Sequence, residues 1–130
     1  MKPTRSVRRQ CRQFAVAPAQ GDERHIVYRC AFGTIAHAIL KPGQEAQLTQ
    51  LMEDWKREIR PKVPGAFVQL TGHQAGQPDQ IVFIALAQDE ATYRRLAAMP
   101  EQHQFYVRFN DGFTSEPTWE DVEMEWGIRE

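Results

Sequence analysis

The sequence predicts an α+β domain in which two helices cover one face of a four-stranded antiparallel sheet. The spacing of apolar residues changes along the chain in the order strand, helix, strand, strand, helix, strand. Proline, glycine and other turn residues separate most of these segments. The 130 residues, of which 42% are hydrophobic, are enough for one buried core and leave little room for a second domain.

The first strand and the first helix are expected on either side of a sharp turn. Residues 34–40 have strand composition and end at the Lys-Pro-Gly sequence of residues 41–43, which predicts a chain reversal. Apolar residues then recur at helical spacing from Leu48 to Ile59, which predicts a helix of about four turns. Pro61 is expected to end this helix, because its ring clashes with the preceding turn.

A β-hairpin is predicted after the first helix. Residues 66–73 have strand composition, and residues 75–79 are expected to form the loop that leads into the next strand. Residues 81–86 are all apolar. An uninterrupted apolar run of this length indicates a strand that is buried on both faces.

The second helix and the last strand complete the pattern. Asp89 is suited to cap the helix, which Pro100 interrupts before a further helical stripe runs to Phe109. Apolar and acidic residues alternate over 121–126, which predicts the last strand. The complete order, β-α-β-β-α-β, is that of the ferredoxin-like fold.

The sheet of this fold has helices on one face only. Its other face is expected to be apolar here, because the strand at 81–86 needs burial on both sides and the strand at 34–40 is apolar on both sides. A large exposed apolar surface usually marks an interface, and a two-fold partner is its commonest cover. We therefore expect a homodimer.

The pattern of residues predicts a division of the chain into two parts. Residues 1–30 are expected to be an N-terminal extension with an extra strand near 26–32, and residues 31–130 to be the folded domain.

The net charge of −1 gives no reason to expect nucleic acid as a partner, and no apolar run reaches the ~20 residues of a membrane helix. No secretory signal is recognised, so a cytoplasmic location is expected. Cys11 and Cys30 are expected to be reduced thiols, with a disulfide between them as the alternative.

Three short motifs occur in order along residues 34–126. They are a strand with a Pro-Gly turn and an acidic helix start at 35–45, a Pro-Gly sequence followed by phenylalanine at 63–67, and a Met-Pro-Glu-Gln-His sequence at 99–103. In this order they resemble the antibiotic biosynthesis monooxygenase group, whose members are dimeric α/β barrels. The resemblance implies sheets that pair face to face and a pocket between helices and sheet in each subunit. It implies the fold more than one reaction, because the group includes cofactor-free oxygenases of electron-rich aromatics or quinols, haem-degrading enzymes, polyketide-type cyclases and members of unknown role.

The chain departs from two branches of this group. Its haem-degrading members use an asparagine on the first strand and a tryptophan on the third, and both are absent here, so haem degradation is not expected. The related plant-type cyclases have a histidine two residues after the helix proline. Gln102 stands at that place in this chain, and His103 follows it.

Histidines and aromatic residues are the candidate site residues. His37 lies between two isoleucines on one strand face, and His103 lies on the second helix; both are candidate catalytic bases, because histidine titrates near neutral pH. A structural histidine with its hydrogen bonds satisfied is the alternative for His37. The candidate substrate-binding residues are His73, Tyr93, Tyr106 and Trp126. No metal and no cofactor are expected, since no two histidines have metal-site spacing and no glycine-rich phosphate loop is present.

Two functions are compatible with these residues. The first is a cofactor-independent monooxygenase that acts on a small aromatic or quinone-like compound in a dry pocket with a base and oxyanion donors. It predicts a closed apolar cavity with a histidine inside. The second is a non-catalytic dimeric domain that binds a small ligand or has a structural role, and it predicts a packed interior.

Overall fold

The computed structural model describes residues 26–27 and 30–129. In chain order the elements are β1 (Ile26–Val27), β2 (Phe32–Ile39), α1 (Glu45–Glu58), a 3-10 helix (Arg60–Lys62), β3 (Phe67–Gln74), β4 (Gln77–Ala87), α2 (Glu90–Ala97), α3 (Pro100–Asn110), β5 (Thr118–Glu123) and β6 (Ile128–Arg129). Four strands form an antiparallel sheet in the order β3-β4-β2-β5, and β1 pairs with β6. This is the ferredoxin-like arrangement, so the predicted α+β fold is confirmed.

An N-cap residue and a proline determine where helices α2 and α3 begin. The backbone N–H of Thr92 donates to the Asp89 side chain at 2.8 Å, which is the predicted N-cap of α2. Pro100 occupies the first turn of α3, where its missing N–H costs nothing. The segment predicted as one interrupted helix is therefore two helices.

The largest differences from the predicted boundaries are at the hairpin loop and at the strand predicted over residues 121–126. The hairpin loop consists only of Ala75 and Gly76, because Gln77 already belongs to β4. The strand predicted over residues 121–126 is β5, Thr118–Glu123, because pairing with β2 fixes its position. Trp126 consequently lies beyond the strand.

The helices cover one face of the sheet, and the core lies between them. Along β4, Ile81 and Phe83 are buried under the helices, whereas Val82 and Ile84 point to the opposite face and are only partly buried in a single chain. We call this opposite face the open face. Its apolar side chains include Ile35, Ile39, Val68, Leu70, Val82 and Ile84, and His37 lies among them.

Near the N-terminus, the range 26–32 predicted for an extra strand contains the two-residue strand β1 and the first residue of β2, Phe32. The rest of residues 1–29 lies outside the described residues. Cys30 is buried and is not a free thiol, so the expectation of a reduced thiol is wrong at this position; Cys11 lies outside the described residues. None of the described helices is long and apolar enough to cross a membrane.

Gly33 gives a test of how closely the two central strands pack. A Cβ atom at this position would overlap the backbone carbonyl of Ala85, which cannot move aside. We expect Gly33→Ala to lower the free energy of unfolding by about 2 kcal/mol or more, measured by urea denaturation. Gly72 in β3 is the matched control, because a Cβ there meets no atom within 4 Å. Gly72→Ala should leave stability unchanged or raise it slightly, and equal effects of the two changes would contradict the close packing.

Candidate functional site

A cavity of about 110 Å³ lies between the helices and the sheet. Strands β2 to β5 and all three α-helices contribute to its walls. Its aromatic lining residues are Trp55, Phe67, Phe83, Tyr93, Phe105, Tyr106, Phe109 and Trp119. An apolar cavity of roughly 150 Å³ holds one benzene molecule in another protein. This aromatic cavity is therefore of the size that suits a single ring.

The space exists because a small residue follows a large one on the same face of β4. Phe83 and Ala85 both point toward the helices, and Ala85 leaves room that a larger side chain would fill. Packed rings hold the surrounding walls: Trp55 stacks on Phe67 with ring centroids 5.0 Å apart, and Trp119 lies 5.6 Å from Tyr106.

Few polar groups face the aromatic cavity, and most of them are hydrogen-bonded. The indole N–H of Trp55 donates to Oε1 of Gln102 at 2.8 Å. The amide nitrogen of Gln69 lies 3.1 Å from the sulfur of Met52. The hydroxyl of Thr34, which is buried, donates to the backbone carbonyl of Glu120 at 3.1 Å. The polar groups are thus fixed in direction rather than free to rotate.

Tyr93 is a residue of the cavity wall whose pKa is raised. Burial raises the pKa of its hydroxyl above the ordinary value of 10.0, and the negative charge of Asp121 raises it further. The Tyr93 hydroxyl lies 3.5 Å from Oδ1 of Asp121, and Arg94 pairs with the same carboxylate at 3.5 Å. Tyr93 therefore stays protonated to higher pH than an ordinary tyrosine, and its hydroxyl donates to Asp121.

The structure brings only two of the six candidate site residues into the cavity wall, Tyr93 and Tyr106. His37 is exposed on the open face, and His73 is exposed near the end of β3, where its Nδ1 lies 3.0 Å from the carbonyl oxygen of Gln74. His103 is exposed on α3 and faces a groove beside α1. Trp126 is 67% exposed and lies outside the cavity. The roles proposed for these four residues stay predictions.

Trp119 and Gln102 also line the cavity and were not among the candidates. Trp119 stands opposite Ala36 in the pairing of β5 with β2 and so points toward the helices. Strand composition at Thr118-Trp119 was its only signal in the sequence. Gln102 was noted only as the residue at the place of a family histidine, and its contact with Trp55 joins residues too distant in sequence to be predicted.

Metal ligands are not grouped in the described part of the chain. Within residues 26–27 and 30–129, no cluster of three or more histidine, cysteine, aspartate or glutamate side chains could hold a metal ion.

Comparison with known proteins gives structural matches only. No family model and no curated protein matches the sequence. A conserved protein from Methanosarcina mazei Go1 superposes with a TM-score of 0.66 at 12% identity, over 75% of this chain and 96% of that one. A "putative antibiotic biosynthesis monooxygenase" from Caulobacter crescentus CB15 gives 0.64 at 11% identity, over 75% and 92%.

A third match carries the same name. It comes from Nitrosomonas europaea and superposes with a TM-score of 0.63 at 10% identity, over 74% of this chain and 91% of that one. The chain has the fold of the proteins named antibiotic biosynthesis monooxygenases. The resemblance predicted from the sequence is thereby confirmed for the fold, and at these identities it extends no further.

The raised pKa of Tyr93 predicts a pH dependence of stability. The unfolded chain releases the phenolic proton near the ordinary pKa of 10.0, and the folded chain releases it at higher pH. The contribution of Tyr93 to stability is therefore complete below about pH 10 and is lost as pH rises through the folded-state pKa. Unfolding measured by denaturant at pH 8 to 11 should show this loss, which Tyr93→Phe should reduce.

The variant Asp121→Asn separates burial from the charge of Asp121 as causes of the raised pKa of Tyr93. We expect it to lower the pKa of Tyr93 while leaving it above the ordinary value, because burial is the larger cause. Ultraviolet absorbance of tyrosinate measures this pKa, with Tyr93→Phe identifying the signal. Asp111→Asn is the control, because the Asp111 side chain is exposed and makes no contact with Tyr93. An unchanged pKa in Asp121→Asn would contradict the assignment.

Proposed function

We propose that the protein is a cofactor-independent monooxygenase that acts on a single-ring aromatic or quinone-like compound. The observation that carries the proposal is the aromatic cavity, whose 110 Å³ and ring-lined walls suit one aromatic ring. The fold that the chain has in common with proteins named monooxygenases supports the same reaction class. The fold alone would not choose a function.

The proposed chemistry takes its electrons from the substrate. One hydroquinone and one O2 give one hydroxyquinone and one water: one oxygen atom enters the ring, the other leaves as water, and the ring supplies four electrons. The protein would exclude water and stabilise the oxyanion that develops on the substrate. Tyr93 is the candidate for the second role, and its hydroxyl, which donates to Asp121 in the structure, would turn to the substrate oxygen.

His37 and His103 are the candidate bases from the sequence, and both lie outside the cavity wall. The second candidate function, a domain that binds a small ligand without catalysis, is favoured by this placement. The two candidates are distinguished by turnover, since both require binding in the same cavity.

We also propose that the protein is a homodimer formed through the open face. Leu70 and Ile39 are 59% and 39% exposed on this face, and Val82 and Ile84 lie between them on β4. Apolar surface of this kind is stabilised when a second sheet covers it. We propose separately that the protein is located in the cytoplasm.

Oxygen consumption tests the reaction. We expect hydroquinone to be converted to hydroxyquinone with one O2 used for each ring, measured with an oxygen electrode and by mass spectrometry. Ala85→Leu should lower the rate about tenfold or more, because the added atoms displace the ring from its reacting position. Ala91→Leu is the matched control and should keep the full rate, because Ala91 is exposed on α2 and does not line the cavity. Binding of hydroquinone without oxygen uptake above the protein-free blank would favour the second candidate function.

Light scattering tests the dimer. The chain should have about twice its 15.0 kDa mass, and Leu70→Glu should give a monomer, because a buried unpaired carboxylate costs several kcal/mol. Val107 on α3 is a matched control, since it is 51% exposed and lies on the helix side. Val107→Glu should remain dimeric. A parent chain that is monomeric at micromolar concentration would exclude this interface.

A further inference from the structure

We propose that Gln102 selects ligands that carry a carbonyl or phenolate oxygen, through an amide N–H whose direction is fixed by Trp55. The inference rests on the proposed function only in taking the aromatic cavity as the binding site. It concerns which ring enters the cavity and in which orientation, and it holds for a binding protein as well as for an enzyme.

The contact with Trp55 determines which end of the Gln102 amide faces which way. The Trp55 side chain is buried, and its Nε1 lies 2.8 Å from the Gln102 side chain. An indole N–H can only donate, so the amide atom that faces it must be the oxygen. The amide NH2 group is therefore held on the side away from Trp55, and a rotation of the amide by 180° would place two donors against each other.

The NH2 group of Gln102 has no hydrogen-bond partner among the described residues. Gln102 lines the aromatic cavity and is partly buried, next to Phe105 and Tyr106 on the same helix. The other amide of the wall differs, because the nitrogen of Gln69 is directed at the sulfur of Met52. Gln102 thus offers an unused donor to whatever occupies the space.

An unused donor in an apolar wall discriminates between ligands of equal shape. A hydrocarbon ring would strip water from the NH2 group and leave it unpaired, which is unfavourable. A ring with a carbonyl or phenolate oxygen would accept a hydrogen bond there, and a charged oxygen would accept a stronger one. A site built to form a hydrogen bond rejects the analogue that lacks the partner atom. Quinones and ionised quinols carry this oxygen, and alkylbenzenes do not.

Gln102→Glu isolates the donor from the rest of the side chain. The variant keeps an oxygen that accepts from Trp55 and replaces the NH2 group with a second acceptor. A carboxylate in the first turn of α3 is also compatible with the helix dipole, so the fold should persist. Measured at pH 8 to keep the carboxylate ionised, this variant should reject the oxygen-bearing ligand without losing the shape of the cavity.

The probes are benzaldehyde and styrene, which are planar and nearly equal in shape and differ in one atom that accepts hydrogen bonds. Binding to the full chain is measured by isothermal titration calorimetry. We expect the parent chain to prefer benzaldehyde and Gln102→Glu to weaken benzaldehyde about tenfold, with styrene changed less than about twofold. Gln104→Glu is the control, because it makes the same chemical change on the exposed side of α3.

A second variant tests the role of Trp55 as a positioning residue. Trp55→Phe removes the indole N–H and frees the amide to rotate. The ratio of benzaldehyde affinity to styrene affinity should fall toward one, whereas a loss of packing alone would weaken both ligands equally. An unchanged ratio in Gln102→Glu would overturn the role of Gln102 while the cavity remains a binding site. If neither probe binds the parent chain, the cavity is not the binding site, and the inference and the proposed function both fail.

Discussion

Side chains along β4 alternate between the two faces of the sheet, and the rest of the structure depends on this alternation. Ile81 and Phe83 point into the core, and Ala85 on the same face leaves the space that becomes the aromatic cavity. Val82 and Ile84 point the other way and make the open face apolar. One strand therefore determines both the position of the aromatic cavity and the apolar character of the open face. A register shift of one residue would exchange the two faces and remove both.

The order of elements could be predicted from the sequence because local signals specify it. The cap at Asp89 and the break at Pro100 act within one helical turn, and the structure places both as expected. The bounds of β5 could not be predicted in the same way. Alternation over 121–126 suggested a strand, but pairing with β2 decides where the strand ends, and that pairing joins residues about 85 positions apart in sequence.

The site was less predictable than the fold. Tyr93 and Tyr106 were candidates and lie in the cavity wall, but helical spacing alone does not distinguish a cavity wall from a filled core. His37 was expected to be buried because it lies between isoleucines. Those isoleucines belong to the open face, and the sequence cannot tell two apolar faces of a strand apart. The pairing of Trp55 with Gln102 depends on how α1 and α3 pack and has no local signal.

The two edges of the sheet differ in charge, and this difference limits how copies of the chain can associate. The edge strand β5 carries Glu120, Asp121 and Glu123, whereas the eight residues of β3 at the other edge include no acidic or basic residue other than His73. Charged edges resist the addition of a further strand. Of the two edges of the four-stranded sheet, β3 is therefore the one less protected against a further strand. A dimer that pairs its open faces would leave the β3 edge of both copies exposed, so the charges on β5 protect only one edge of each sheet.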